Sequence, residues 1–206
     1  AVKSLNAGGV SGEQVQILSF AIHGIGEWSW RSYDKSSIES YSLFETARSV
    51  VTDITNPGPE TDVLITGAGQ RIGSFRFAGK RGDGAADLAV TDLTFQIGAT
   101  GGASLSNVQL ATDGLSDRVS CSVLAGNIIC SNISATFGSF EDAPRTLTLY
   151  ATVTVPPTSI NSYVQLFLTP AGDSSSAGAV TWTDGTSSFS WVPFDSPIAS
   201  GTKFER

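Results

Sequence analysis

Thr146-Leu147-Thr148-Leu149-Tyr150-Ala151-Thr152-Val153-Thr154-Val155 is the stretch that decides the fold. Leu147, Leu149, Ala151, Val153 and Val155 alternate with Thr146, Thr148, Tyr150, Thr152 and Thr154. That period of two puts an apolar row on one face and hydroxyls on the other, as a half-buried strand requires. The β-branched residues throughout suit a pleated surface. Pro156-Pro157 closes the run, because proline has no N–H to give to a ladder. Just downstream, Val164, Leu166 and Leu168 oppose Tyr163, Gln165 and Phe167 in a second alternating strand.

Upstream the same signal recurs. Leu93, Phe95 and Ile97 alternate, while Leu88 and Val90 are out of phase with them, which places a bulge near Thr91-Asp92. A like slip separates Val15 and Ile17 from Leu18, Phe20 and Ile22. Shorter strands are predicted around Val63–Ile65, Ile72–Phe77, Leu105–Leu110, Val180–Trp182 and Phe189–Val192. Turns separate them at Gly67-Ala68-Gly69, Gly82-Asp83-Gly84, Thr112-Asp113-Gly114 and Asp184-Gly185. One short helix is predicted near residues 37–51. Ser36 and Glu39 have capping-box spacing there, and Ile38, Tyr41, Phe44, Ala47 and Val51 recur every three or four residues. Asn56-Pro57-Gly58-Pro59 breaks the chain. It suggests an N-terminal β region over 1–60 and a β-sandwich over 61–206, with one continuous domain as the alternative.

The composition agrees. Of the 206 residues 40% are hydrophobic, enough for a packed core, yet only 15% are charged against roughly 25% in an average domain. Such a mixture reads as an all-β antiparallel sandwich, immunoglobulin-like or jelly-roll-like. The net charge of −7 repels phosphate backbones, so nucleic acid is not an expected partner. No apolar run approaches ~18 residues, so no membrane-spanning helix is expected. Ala1 and the absence of methionine suggest a mature terminus left by signal-peptide cleavage, an expression-tag origin being the alternative.

Two cysteines occur, in Ser120-Cys121-Ser122-Val123-Leu124-Ala125-Gly126-Asn127-Ile128-Ile129-Cys130. If Ala125-Gly126 is a two-residue hairpin turn, Leu124 and Asn127 flank it. Counting outward then sets Cys121 opposite Cys130 in a non-hydrogen-bonded pair, with Cα atoms ~4.5 Å apart, within disulfide range. A disulfide implies an oxidising compartment; two buried free thiols are the alternative. Asn132-Ile133-Ser134 is an N-glycosylation sequon. Asn132 falls two residues past Cys130, on the face of Cys130 and Ile128. If that face is core, a glycan fits only where the strand has already left the sheet.

From Arg71 onward the order of segments carries a family likeness. It runs through Ile72-Gly73-Ser74-Phe75-Arg76-Phe77, Leu88–Phe95, Ala103–Leu110, Arg145–Ala151 and Val180-Thr181-Trp182-Thr183-Asp184-Gly185. In that order, residues 71–206 resemble the immunoglobulin-like modules of predicted surface proteins from candidate-phylum bacteria. The resemblance implies an extracellular adhesive or structural module without a cofactor. It does not extend to the first 60 residues, nor to the cysteine pair.

Catalytic machinery is not legible, and no enzyme is expected. His23 is the single histidine, and no Gly-x-Ser-x-Gly elbow is present. Gly67-Ala68-Gly69-Gln70-Arg71-Ile72-Gly73 lacks dinucleotide-loop spacing and precedes a strand, so it reads as a hairpin turn. Glu27 and Glu39 lie near aromatics, where paired carboxylates would serve a jelly-roll glycosidase; solvated surface acids are the plainer reading. No metal or cofactor is expected, with calcium as the alternative at Asp83, Asp87, Asp113, Asp117 or Asp184. Arg81-Gly82-Asp83 is read as a coincidental tripeptide.

Trp28, Trp30 and Tyr33 form the densest aromatic cluster. On a strand, Trp28 and Trp30 share a face. They make either a stacking platform for a glycan or partner protein, or the closure of a core. The leading expectation is an extracellular, cell-surface structural subunit of a filament, sheath or surface layer. Its partners are copies of itself, with Val15, Ile17, Leu18, Phe20 and Ile22 available to complete a neighbour's sheet. The Gly-rich start and Lys203-Phe204-Glu205-Arg206 would then be held by neighbouring subunits. A carbohydrate- or partner-binding adhesin using the aromatic platform is the alternative.

Overall fold

The computed structural model describes residues 49–81, 87–113, 115–141, 143–173 and 176–206, together with the backbone of 14–15 and 44–45. The stretch that opened the sequence reading is a strand over Arg145–Thr154, and along it Leu147, Leu149, Ala151 and Val153 are buried. It lies in the middle of a five-stranded sheet. In chain order the elements are β1 (Gln14–Val15), β2 (Phe44–Glu45), β3 (Ser49–Thr55), β4 (Thr61–Val63), β5 (Gly67–Arg81), β6 (Ala89–Ala99), β7 (Ser104–Thr112) and β8 (Arg118–Ser120). They continue with β9 (Ser122–Leu124), β10 (Asn127–Cys130), α1 (Ala135–Gly138), β11 (Arg145–Thr154), β12 (Tyr163–Leu168), β13 (Val180–Thr183), β14 (Ser188–Phe189), β15 (Ala199–Ser200) and β16 (Lys203–Glu205).

The five-stranded sheet runs β3-β5-β11-β7-β8. On its outer face the hydroxyls find partners: Ser74 and Thr148, directly opposite in the ladder, meet at 3.1 Å. The Arg118 guanidinium sits 4.4 Å from the Tyr150 ring centroid. The second sheet is organised by β6. Phe95 pairs with Ile128 of β10 and with Leu168 of β12, and Leu93 pairs with Cys130 of β10 and Val180 of β13. A strand has two edges, so β12 and β13 share the edge opposite β10, lying end to end. The phase slip read from Leu88 and Val90 is a real bulge. Thr181 pairs with Asp92 but Trp182 pairs with Val90, leaving Thr91 as the extra residue.

The two sheets pack face to face over one continuous apolar core. The Phe75 and Phe95 rings meet across it with centroids 5.0 Å apart. Trp182 stacks on Phe189 at 4.5 Å and donates its indole N–H to the Trp191 carbonyl at 2.7 Å, which satisfies its buried polar atom. Gly79 admits this packing: a Cβ there would meet Leu88 Cδ2 at 2.0 Å. The all-β sandwich expected from the sequence is therefore the fold observed.

Four readings are corrected by the structure. The helix expected near 37–51 is not formed where the segment is described, because Phe44–Glu45 and Ser49–Thr55 are strands. Val50, Val51, Thr52, Ile54 and Thr55 are all β-branched, and pairing with β5 overrides the helical spacing. The expected boundary at 60/61 falls inside the sandwich. β3 belongs to one sheet and β4 to the other, so Asn56-Pro57-Gly58-Pro59 is the crossover between them. Asn56 Oδ1 accepts the Gly58 amide at 2.9 Å, and Thr202 donates to the Pro59 carbonyl at 2.8 Å, pinning that crossover. Gly67-Ala68-Gly69 is not a hairpin turn but the start of β5, again a passage between sheets. Lys203–Glu205 needs no neighbouring subunit to hold it, since it is strand β16 between β12 and β4 of its own chain. Its pairing with β4 is parallel, in a sandwich whose other ladders are antiparallel among the described residues.

Phe95, fully buried at the meeting of the sheets, and Ile160, 82% exposed, make a direct contrast. Phe95→Ala should lower the unfolding free energy by about 3–5 kcal/mol in chemical denaturation, and Ile160→Ala by less than about 0.5. Equal effects would contradict this assignment of the core.

Candidate functional site

The hairpin read from the cysteine segment forms in the predicted register. Leu124 pairs with Asn127, Val123 with Ile128 and Ser122 with Ile129. Ala125 and Gly126 take φ of 49° and 81°, the positive pair that a tight hairpin turn demands. Cys121 and Cys130 are disulfide-bonded with Cα atoms 4.4 Å apart. The bond has a position the sequence did not disclose. β8 ends in the five-stranded sheet and β9 begins in the other, with Cys121 between them and its amide bonded to the Val108 carbonyl at 2.9 Å. The disulfide thus braces the point where the chain changes sheets, tying it to fully buried Cys130 beside β6.

The other sequence-predicted residues divide. Trp28, Trp30, Tyr33, Ile17, Leu18, Phe20, Ile22, His23, Glu27, Glu39 and Asp83 lie outside the described residues. Val15 is in β1 and pairs with Phe44 of the same chain. Asp87, Asp113 and Asp117 are exposed, whereas Asp184 is buried. Asp184 Oδ1 accepts the Thr186 and Ser187 amides at 3.0 and 2.9 Å, closing the turn with Gly185. Among the described residues no three His, Cys, Asp or Glu side chains converge as metal ligands. Among them, too, no helix is long and apolar enough to cross a membrane.

The feature that the sequence did not single out is the open edge at β4. Lys203 N–H donates to the Glu60 carbonyl and Leu64 N–H to the Glu205 carbonyl, both at 2.9 Å. Residues 60 and 64 therefore turn their backbone groups toward β16, and by alternation Thr61 and Val63 within β4 turn theirs away from it. β4 is the last strand of its sheet among the described residues. Side chains at and just past the end of β4 divide as well: Leu64 is buried, while Val63 and Ile65 are 66% and 58% exposed. One edge group has a local partner, the Val63 amide, which Asp62 Oδ1 accepts at 2.8 Å. Arg71 holds the other carboxylate oxygen of Asp62 at 2.8 Å and sits 5.8 Å from the Phe204 ring centroid. On the neighbouring strand the Glu205 carboxylate hydrogen-bonds Lys203 and raises its ammonium pKa.

No family model matches the chain, and no curated protein matches it. Among solved structures, it is similar to two full-length structures of the pilus protein, or major pilin, RrgB from Streptococcus pneumoniae. The identities are 9% and 10%, with TM-scores of 0.34 and 0.31 over 83% and 84% of this chain. The chain spans 39% and 40% of the length of those pilin chains.

The disulfide closes a short loop, with a sequence separation of 9. Loop-closure entropy for roughly ten residues amounts to about 3 kcal/mol. The double variant Cys121→Ala/Cys130→Ala should lose about 2–3 kcal/mol of unfolding free energy. A loss below about 0.5 kcal/mol would mean that the sheet crossing is held by other contacts.

Proposed function

We propose that the protein is an extracellular structural subunit of a surface filament, sheath or surface layer, and that it has no catalytic role. The observation that carries this reading is the β4 edge, with backbone groups facing away from their own sheet and Val63 and Ile65 exposed beside them. Natural proteins usually blunt such edges, because an unpaired strand recruits another chain. Here the blunting is confined to the single Asp62–Val63 contact among the described residues. Strand addition from a second copy satisfies the remaining edge groups and covers the two aliphatic side chains. The disulfide supports an oxidising location. A continuous apolar core, in a chain of which only 15% is charged, suits a building unit.

A glycan- or partner-binding module is the second reading, and one observation favours it. On the outer face of the nine-stranded sheet the Phe167 and Tyr163 rings both overhang Gly98. A Cβ placed there would lie 2.9 and 3.7 Å from them. Two aromatic rings sharing one patch can stack on a sugar ring.

Val63→Lys and Ile65→Lys place charge on the open edge without touching the core. Sedimentation of wild-type protein at micromolar concentration should show species larger than one chain, and both variants should sediment as monomers with unchanged unfolding midpoints. Wild-type protein that stays monomeric, or variants that assemble as wild type does, would overturn the edge as the contact.

A further inference from the structure

We infer that Asn132 is an N-glycan acceptor. The strand register alone sets Asn132 on the core face, in line with Ile128 and Cys130, both fully buried. The structure changes that course. β10 ends at Cys130, and Asn132 takes φ of 57°, a left-handed conformation that asparagine adopts more readily than most residues. The turn exchanges the two neighbours: Asn132 comes out to solvent, and Ile133 goes into the core at 3% exposure.

The corner around it is firmly held. The Asn132 amide donates to Asp92 Oδ1 at 3.2 Å, and the Ile133 amide donates to the Thr91 carbonyl at 2.9 Å. Ser134 Oγ accepts the Phe137 amide at 3.3 Å as the cap of α1, which leaves its hydroxyl hydrogen uncommitted. Among the described residues no hydrogen bond engages the Asn132 side-chain amide. The sequon Asn132-Ile133-Ser134 therefore meets both requirements of the modification: the acceptor triplet itself, and a folded state with room for a bulky, hydrated group. A transferase acting on the chain before it folds needs only the triplet, and the exposed corner then carries the product without disturbing the core.

The chemistry is a single transfer. Asn132 Nδ2 forms a bond to C1 of the first sugar of a lipid-diphosphate-linked oligosaccharide. The bond from C1 to the diphosphate oxygen breaks, Nδ2 releases one proton, and the lipid diphosphate leaves. The inference rests on the extracellular reading, since the donor and transferase of this reaction work on exported chains.

The competing role for Asn132 is purely conformational, and glycine separates the two. Asn132→Gly keeps the left-handed backbone but has no acceptor nitrogen. Ser134→Thr keeps both hydroxyl and cap, while Ser134→Ala removes both. The test is tandem mass spectrometry of the peptide spanning Asn132, from protein recovered at the surface of its native cells. Wild type and Ser134→Thr should carry an oligosaccharide mass at Asn132, and Asn132→Gly and Ser134→Ala should carry none. Asn132→Gly should also unfold at the wild-type midpoint. Surface-recovered wild-type protein with a bare Asn132 overturns the modification alone. A bare Asn132 in protein found only inside the cell overturns the extracellular reading as well.

Discussion

Phe75 and Phe95 meet at 5.0 Å between the two sheets, and both strands that carry them are committed on each edge. β5 lies between β3 and β11; β6 lies between β10 and the end-to-end pair β12 and β13. Burying that apolar layer fixes the face each strand must present, and a slip of one residue would turn every strand inside out. The remaining features follow from keeping that layer closed. Thr91 bulges so that both halves of β6 present apolar side chains inward, and Asn132 turns so that Ile133 can replace it. Among the passages between sheets, side-chain hydrogen bonds hold the one at Asn56–Glu60 and a disulfide the one at Cys121.

Local pattern made most of this sandwich readable in advance. β11, β12 and the β9–β10 hairpin follow from alternation and a turn dipeptide, and the Thr91 bulge from a phase slip of two side chains. The failures share one cause. The helix-like spacing of Ile38, Tyr41, Phe44, Ala47 and Val51 runs into Ser49–Thr55, and only the edge of β5, some 25 residues away, makes that segment a strand. Asn56-Pro57-Gly58-Pro59 looks like a boundary because proline and glycine report a change of direction, not the sheet that receives the chain. The parallel pairing of Thr61–Val63 with Lys203–Glu205 joins segments ~140 residues apart, which no periodicity encodes.

The candidate site was legible to the same degree. The disulfide partners could be counted from the turn. Val63 could be read as a strand residue, whereas Ile65 lies just past the end of β4, and the place of both beside an open edge depends on the distant β16. Asn132 was recognisable as a sequon, yet its exposure hangs on one backbone dihedral. The proposed assembly through an edge would account for two exposed aliphatic side chains, Val63 and Ile65, beside a strand with no partner on its outer side among the described residues. A subunit that adds to its neighbour need not guard that edge with lysine or proline.

Electron microscopy of the native protein at micromolar concentration tests this account most directly. Filaments or ordered sheets are the predicted result. A field of dispersed single particles, each the size of one sandwich, would contradict it.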